Sequence, residues 1–270
     1  MPSAIKAVIF DWAGTMIDYG CMAPVEALKT AFAAEGLEIS DEDARRDMGR
    51  AKLDHVRALL AYPPVTESWT ALKGAAPTED DVGRIYAALV PLMAEAATRH
   101  AVLIPGAAAL VADLCEQGVK VGSGTGYTRE MMQGIIAAAA EQGYAPDVVV
   151  CAGETPSGRP APLMTWKALI ALDAWPASAC VKVDDAEVGV AEGRSAGCWS
   201  VGLAASGNGV GLSPEAWRGL SETRRRALRD VSETSLKAAG AHYVVDSVAE
   251  LGPVLKEIAA RIAAGERPEA

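Results

Sequence analysis

The sequence predicts an α/β protein: a doubly wound parallel sheet with a helical cap domain inserted after the first strand. Three observations carry this reading. Short apolar runs alternate with amphipathic stretches, at the start of the chain and again from about residue 100, as in a parallel sheet covered by helices. Residues 21–99 carry helical patterns and no strand signal. Half of the 270 residues are apolar and they are spread along the chain, enough to bury a sizeable core. The core domain is therefore assigned to residues 1–20 and 100–270, and the cap to residues 21–99.

Taken in order, Ala7-Val8-Ile9-Phe10 reads as a buried strand. Pro24 opens a helix with Val25, Leu28 and Phe32 on one face, and Gly36 is placed to end it. Ser40 is an N-cap candidate before Asp41-Glu42-Asp43, and its helix runs to Met48-Gly49. A third helix starts near Ala51; Lys52 and His55, three apart, share one of its faces. Pro63-Pro64 ends it. Helical patterns resume from Glu79 to about Thr98. Pro105-Gly106 leads a helix into Gln117-Gly118. Strands follow at Val119–Gly122, ending at Ser123, then at Val148–Val150, and at Ala179–Val183, ending at Asp184-Asp185. Trp199–Leu203 and Tyr243–Val245 are further strands. Ser247 with Glu250 makes a capping-box pattern before the last helix. The stretch from Ser206 to Gly240 carries no functional signal, and Arg224-Arg225-Arg226 reads as a solvated helix face.

The formal net charge of −10 makes the chain a poor generic binder of nucleic acid or of an anionic membrane. An anionic substrate would need its charge met locally, by a metal or a few placed cations. The five cysteines are odd in number and include no Cys-x-x-Cys, so neither a zinc site nor a disulfide framework is expected. Reduced thiols fit a cytoplasm. No signal-peptide pattern precedes the first strand, and no apolar run reaches the length of a membrane span. The expectation is a soluble, cytoplasmic protein.

Polar groups gather at three strand ends: Asp11 and Thr15, then Ser123, then Asp184 and Asp185. Ligands of open α/β sheets bind at such ends. Two carboxylates there suit Mg²⁺, a hard cation that shares oxygen ligands with phosphate and water. Hydroxyls and backbone N–H groups after the strands can cradle phosphoryl oxygens.

Five stretches carry a closer resemblance. They are Asp11-Trp12-Ala13-Gly14-Thr15, Met48-Gly49 with Lys52 and Asp54-His55, Gly122-Ser123-Gly124-Thr125-Gly126-Tyr127, Gly158-Arg159-Pro160, and Val181-Lys182-Val183-Asp184-Asp185 with Glu192-Gly193. In this order, and over nearly the whole chain, they resemble the phosphonatases (phosphonoacetaldehyde hydrolases) of the haloacid dehalogenase superfamily. The first stretch resembles the superfamily motif Asp-x-Asp-Gly-Thr, with Ala13 in place of the second Asp. Ordinary phosphatases of the superfamily use that acid to protonate a leaving oxygen.

The resemblance implies a Rossmann-like core and hydrolysis of the carbon–phosphorus bond of phosphonoacetaldehyde to acetaldehyde and phosphate, in the degradation of phosphonates such as 2-aminoethylphosphonate. It implies Asp11 as the nucleophile that becomes an aspartyl phosphate, Lys52 as a Schiff-base amine and His55 as its proton shuttle. Thr15, Ser123, Gly124 and Arg159 match positions that grip the phosphoryl group. Met48, Cys21 and Tyr127 match positions near the aldehyde pocket. Mg²⁺ would be held by Asp11, the backbone carbonyl of Ala13 and Asp185. Relatives are usually homodimers, which implies a dimer through the cap, where Leu89, Leu92 and Met93 offer apolar faces.

The chemical logic is independent of the resemblance. Breaking a carbon–phosphorus bond leaves an electron pair on carbon, and an iminium accepts it as an enamine. Such a leaving group needs no acid at position 13. One departure stands out: Asp184-Asp185-Ala186-Glu187-Val188-Gly189 has a glycine where many superfamily members have the second acid of Gly-Asp-x-x-x-Asp. This leaves the roles of Asp184 and Glu187 open. The alternative reading is a superfamily phosphatase or phosphomutase acting on a small phosphate ester.

Overall fold

Side chains alternate across β1 (Ala7–Phe10), and each set finds its own layer of helices. In the computed structural model, which describes residues 3–269, Ala7 and Ile9 share an apolar cluster with Met164 and Ala168 of α8 (Leu163–Ala171) and with Leu172 just past its end. Val8 and Phe10 face the opposite layer, built from α6 (Ala107–Glu116), α7 (Arg129–Glu141) and α12 (Leu251–Ala263). A strand covered on both faces must be apolar throughout, which is why β1 reads as an unbroken apolar run.

The other strands are β2 (Lys120–Thr125), β3 (Val148–Cys151), β4 (Cys180–Asp184), β5 (Trp199–Leu203) and β6 (Tyr243–Val245). The sheet is parallel with order β3-β2-β1-β4-β5-β6, a doubly wound arrangement that reverses direction between β1 and β4. The expected α/β class is borne out. Helices α9 (Glu187–Ser195) and α11 (Glu222–Ala238) cover β4 to β6, and the short α10 (Pro214–Gly219) precedes α11. No helix among the described residues is long and apolar enough to cross a membrane.

Five helices lie between β1 and α6: α1 (Met22–Ala34), α2 (Asp41–Arg45), α3 (Lys52–Ala61), α4 (Pro63–Lys73) and α5 (Glu79–Arg99). They form the cap layer. Here the sequence expectation needs adjusting. Helix α1 starts two residues before Pro24, because the buried Asp18 accepts the N–H groups of Met22 at 2.9 Å and Ala23 at 3.1 Å. Ser40 and Asp43 do form a capping box, but α2 stops at Arg45 and a turn carries the chain to Gly49. Pro63-Pro64 ends α3 and also opens α4, a helix absent from the sequence reading. Proline lacks only an N–H that the first helical turn leaves unpaired anyway. Leu89 and Met93 are fully buried and Leu92 is half-buried, in a helix that packs against α1 and α3 of the cap and against α7 of the core. The same apolar cluster continues through Phe32 and Met132 to Phe10 and Trp12 in the core.

Candidate active site

Strand register builds the centre of the site. Phe10 pairs with Ser123 of β2 and with Val183 of β4. The next residue, Asp11, therefore leaves the sheet level with Asp184, and its N–H bonds the Val183 carbonyl at 3.0 Å. Asp11, Asp184 and Asp185 each bring a carboxylate oxygen within 4.8 Å of the others. Burial and the charge of Asp184 push the Asp11 carboxyl up to about 6. Burial and the charges of Asp11 and Asp184 push Asp185 up to about 8. Asp184 moves the other way: against its burial, Arg159 and Lys182 hold it below the usual carboxylate range.

Crowded carboxylates of this kind are what a divalent cation relieves, and their oxygens are the hard donors Mg²⁺ takes. The Ala13 carbonyl faces the same place. The Cys21 thiol donates to it at 3.3 Å and to Asp185 Oδ2 at 3.3 Å. Gly14 has φ +81°, and a Cβ there would fall 2.5 Å from Asp185 Oδ2, so only glycine lets the loop pass so close. Thr15 Oγ1 donates to Asp185 Oδ1 at 3.2 Å, and the Asn208 N–H donates to Oδ2 at 2.7 Å. These residues fit a metal.

Arg159 ties the acids together. Its Nη1 lies 2.8 Å from Asp11 Oδ1 and 3.4 Å from Asp184 Oδ2, and its Nη2 donates to the Gly124 carbonyl at 2.7 Å. Its Nε donates to Glu192 Oε2 at 3.0 Å, while Glu192 Oε1 accepts the Thr165 N–H at 3.0 Å. Lys182 is fully buried and pairs with Asp184. The missing acid at position 189 has a steric explanation. A Cβ on Gly189 would sit 2.0 Å from Asp184 Cγ, so the Asp184 carboxylate fills the space that a side chain at 189 would need. Glu187 is exposed on α9, outside this cluster.

The turn after α2 closes over these groups. A small chamber of about 20 Å³ is bounded by Asp11, Asp185 and Arg159 from the core and by Met48 and Lys52 from the cap, with Ala13, Cys21 and Tyr127 completing the wall. The two parts touch at backbone level: a Cβ on Gly126 would fall 2.5 Å from the Arg50 carbonyl oxygen. Lys52, the first residue of α3, is 3% exposed, and burial pushes its amine down to about 8. Its Nζ lies 3.8 Å from Met48 Sδ and 5.3 Å from the Tyr127 ring centre. His55 is buried one turn further on, and burial and the Lys52 charge hold its imidazole well below the usual range. Neither of its ring nitrogens, nor the Tyr127 hydroxyl, has a hydrogen-bond partner among the described residues.

Eight of the sequence-derived residues thus meet at one chamber. Thr15, Ser123, Gly124 and His55 stand behind its wall. The Ser123 hydroxyl accepts the Trp12 indole N–H at 2.9 Å, and Trp12 packs on Tyr144 with ring centres 5.0 Å apart. Arg50, Thr125 and Ala186 line the chamber without having been singled out as site residues, and Lys182, Glu192 and Asn208 support it. Glu192 and Lys182 lie inside stretches that carried the resemblance. Nothing in the sequence marked Asn208.

A family model for haloacid dehalogenase-like hydrolases matches residues 5–197. The phosphonoacetaldehyde hydrolase of Paraburkholderia phytofirmans is 46% identical over 98% of this chain and 99% of its own length. That of Paraburkholderia xenovorans is 44% identical with the same coverage. The crystal structure of a phosphonoacetaldehyde hydrolase-like protein from Oleispira antarctica matches with a TM-score of 0.96 and 41% identity, covering 99% of this chain and 98% of that one. The chain belongs to the haloacid dehalogenase-like hydrolases and, within them, to the phosphonoacetaldehyde hydrolase family.

Proposed function

We propose that this hydrolase cleaves the carbon–phosphorus bond of phosphonoacetaldehyde, giving acetaldehyde and phosphate. The observation that carries the reading is one closed chamber in which a lysine of depressed basicity meets an aspartate at a strand end, with no acidic side chain at position 13. The neutral Lys52 amine attacks the aldehyde carbon and loses water to form an iminium. A carboxylate oxygen of Asp11 attacks phosphorus. The carbon–phosphorus bond breaks, its electron pair passes to carbon, and the iminium takes it up as an enamine. Protonation at carbon and addition of water release acetaldehyde and free Lys52. Water then cleaves the aspartyl phosphate, returning Asp11 and phosphate. The phosphonate is gripped by Arg159, with Thr15, Ser123 and Gly124 supporting the surrounding loops.

Asp11, Asp185 and the Ala13 carbonyl would hold Mg²⁺, which when bound would supply positive charge to offset that of the carboxylates and the phosphonate. His55, buried three residues along the same helix with both ring nitrogens unpartnered among the described residues, is the candidate relay for protons of the amine. With its imidazole held well below the usual range, it passes a proton on rather than keeping it. Residues 21–99 act as a cap on a core of residues 1–20 and 100–270, and the cap must open to admit substrate and close to deliver Lys52. Free thiols at all five cysteines fit a reducing cytoplasm.

The test is acetaldehyde release with Mg²⁺, followed through NADH oxidation by alcohol dehydrogenase, beside a phosphate-ester control. Borohydride added with substrate should trap a covalent adduct on Lys52, seen by peptide mass. Lys52→Ala should abolish acetaldehyde release while the far-ultraviolet spectrum stays unchanged. Ester turnover without acetaldehyde would instead mark a phosphatase or phosphomutase.

A further inference from the structure

The segment after β5 that carried no signal in the sequence reaches both halves of the site. The Ser206 carbonyl accepts the Gly20 N–H at 2.7 Å, and Ser206 Oγ donates to the Gly14 carbonyl at 2.8 Å. Two residues on, the Asn208 N–H holds Asp185 Oδ2 at 2.7 Å. The Asn208 side chain turns the other way, to the cap. Its Oδ1 accepts from Arg45 Nη1 at 3.2 Å and its Nδ2 donates to the Arg45 carbonyl at 3.0 Å. That carbonyl also accepts the Met48 N–H at 3.3 Å, inside the turn that delivers Lys52. The Arg45 guanidinium donates further to the carbonyls of Gly20 at 2.8 Å and Gly211 at 3.0 Å.

Glycines make this fit possible. A Cβ on Gly207 would lie 2.2 Å from Asp185 Cβ, and one on Gly211, where φ is +65°, would lie 2.6 Å from Arg45 Cζ. The loop is thus pressed between a candidate metal-binding carboxylate and the last residue of α2.

We infer that Asn208 is a positioning residue that clasps the Lys52-bearing turn to the Asp185 carboxylate. This rests on the reading that Lys52 and Asp11 must meet for turnover. Opening the cap by moving α2 breaks the two Asn208–Arg45 bonds and leaves the Asn208–Asp185 bond in the core. The clasp therefore favours the closed arrangement, and the loop that forms it is registered on Asp185.

Full-length Asn208→Ala tests this, because it keeps the backbone N–H to Asp185 and removes only the amide. Two lost hydrogen bonds should lower kcat about tenfold. KM and the Mg²⁺ concentration for half-activity should stay within about twofold on the same grounds. Hydrogen exchange of residues 45–52 should quicken by about the same tenfold factor, with residues 120–125 unchanged. Asn208→Asp keeps the acceptor for Arg45 Nη1 and loses the donor to the Arg45 carbonyl, so it should recover part of kcat. Unchanged kcat with unchanged exchange at 45–52 overturns the clasp. So does a raised Mg²⁺ requirement with unchanged exchange, which would confine Asn208 to Asp185. Exchange is read without turnover, so a wild type that fails borohydride trapping sinks the Schiff-base reading and not the clasp.

Discussion

A solvated lysine amine is neutral in about one molecule in a few thousand at pH 7, too few to serve as a nucleophile. Burial changes this for Lys52. With its amine pushed down to about 8, about one molecule in ten is neutral at pH 7. The sign of the pH dependence follows. The neutral amine is the reactive form, so kcat/KM should rise with pH, bend near 8 and level off above it, as a profile of initial rates would show. A limb that keeps rising towards pH 10 would mean that Lys52 keeps ordinary basicity, contrary to its burial. At this scale the sequence was legible where chemistry is local. Asp11 declares itself by its position after a strand, whereas Ala13 and Lys52 stand out only through the family resemblance, a lone helix lysine being ordinarily a solvated one. Lys182 was also legible in principle, since it and Asp184 are two apart and share a face of β4. Asn208 was not, because its partners Arg45 and Asp185 lie far away in the chain and only the fold brings them together.

Individual elements were read best where capping or covering leaves a mark. All six strands lie within about two residues of their expected ends, except that β2 runs on to Thr125, most plainly β1, which is buried on both faces and written as a bare apolar run. The cap helices were harder. Pro63-Pro64 is a stop signal and a start signal at once, and Asp18 caps α1 from outside the expected helix. The junction of β4 and α9 is the element whose departure from the superfamily pattern has the clearest physical cause. Gly189 leaves room for an Asp184 carboxylate that is locked to Lys182 and Arg159. Gly189→Ala should therefore do more than overpack a turn. It must displace Asp184 from two buried cations, and a loss of at least about 1–3 kcal/mol is expected in urea unfolding. Turnover should fall with it, since Arg159 also holds Asp11. Wild-type stability in this variant would show that Asp184 can swing aside at no cost.

Over the whole molecule the charge is unfavourable for the proposed substrate. The chain carries a net −10, and the site itself concentrates Asp11, Asp184 and Asp185. Lys182 is committed to Asp184, Arg159 must share its charge between the acids and the phosphonate it grips, and Lys52 must be neutral to react. A phosphonate dianion would thus meet mostly negative charge unless a cation joins the cluster. Two consequences follow for the molecule as a unit. Removing Mg²⁺ with a chelator should abolish binding of the substrate as well as its turnover. Adding it should stabilise the fold, because a ligand that binds only the native state contributes about 2.7 kcal/mol at a hundred times its Kd. In a chain of this size that is worth roughly 5–10 °C in Tm. The apolar cluster that runs unbroken from the cap into the sheet should carry the shift to both parts together, as one transition. Asp185→Asn provides the control. With its carboxyl pushed up to about 8, Asp185 is mostly protonated at pH 7 without a metal, so the metal-free variant should melt close to the metal-free wild type, and it should lose most of the Mg²⁺ shift. An undiminished shift in Asp185→Asn, read by scanning calorimetry, would place the ion elsewhere and leave the acidic cluster without its proposed role.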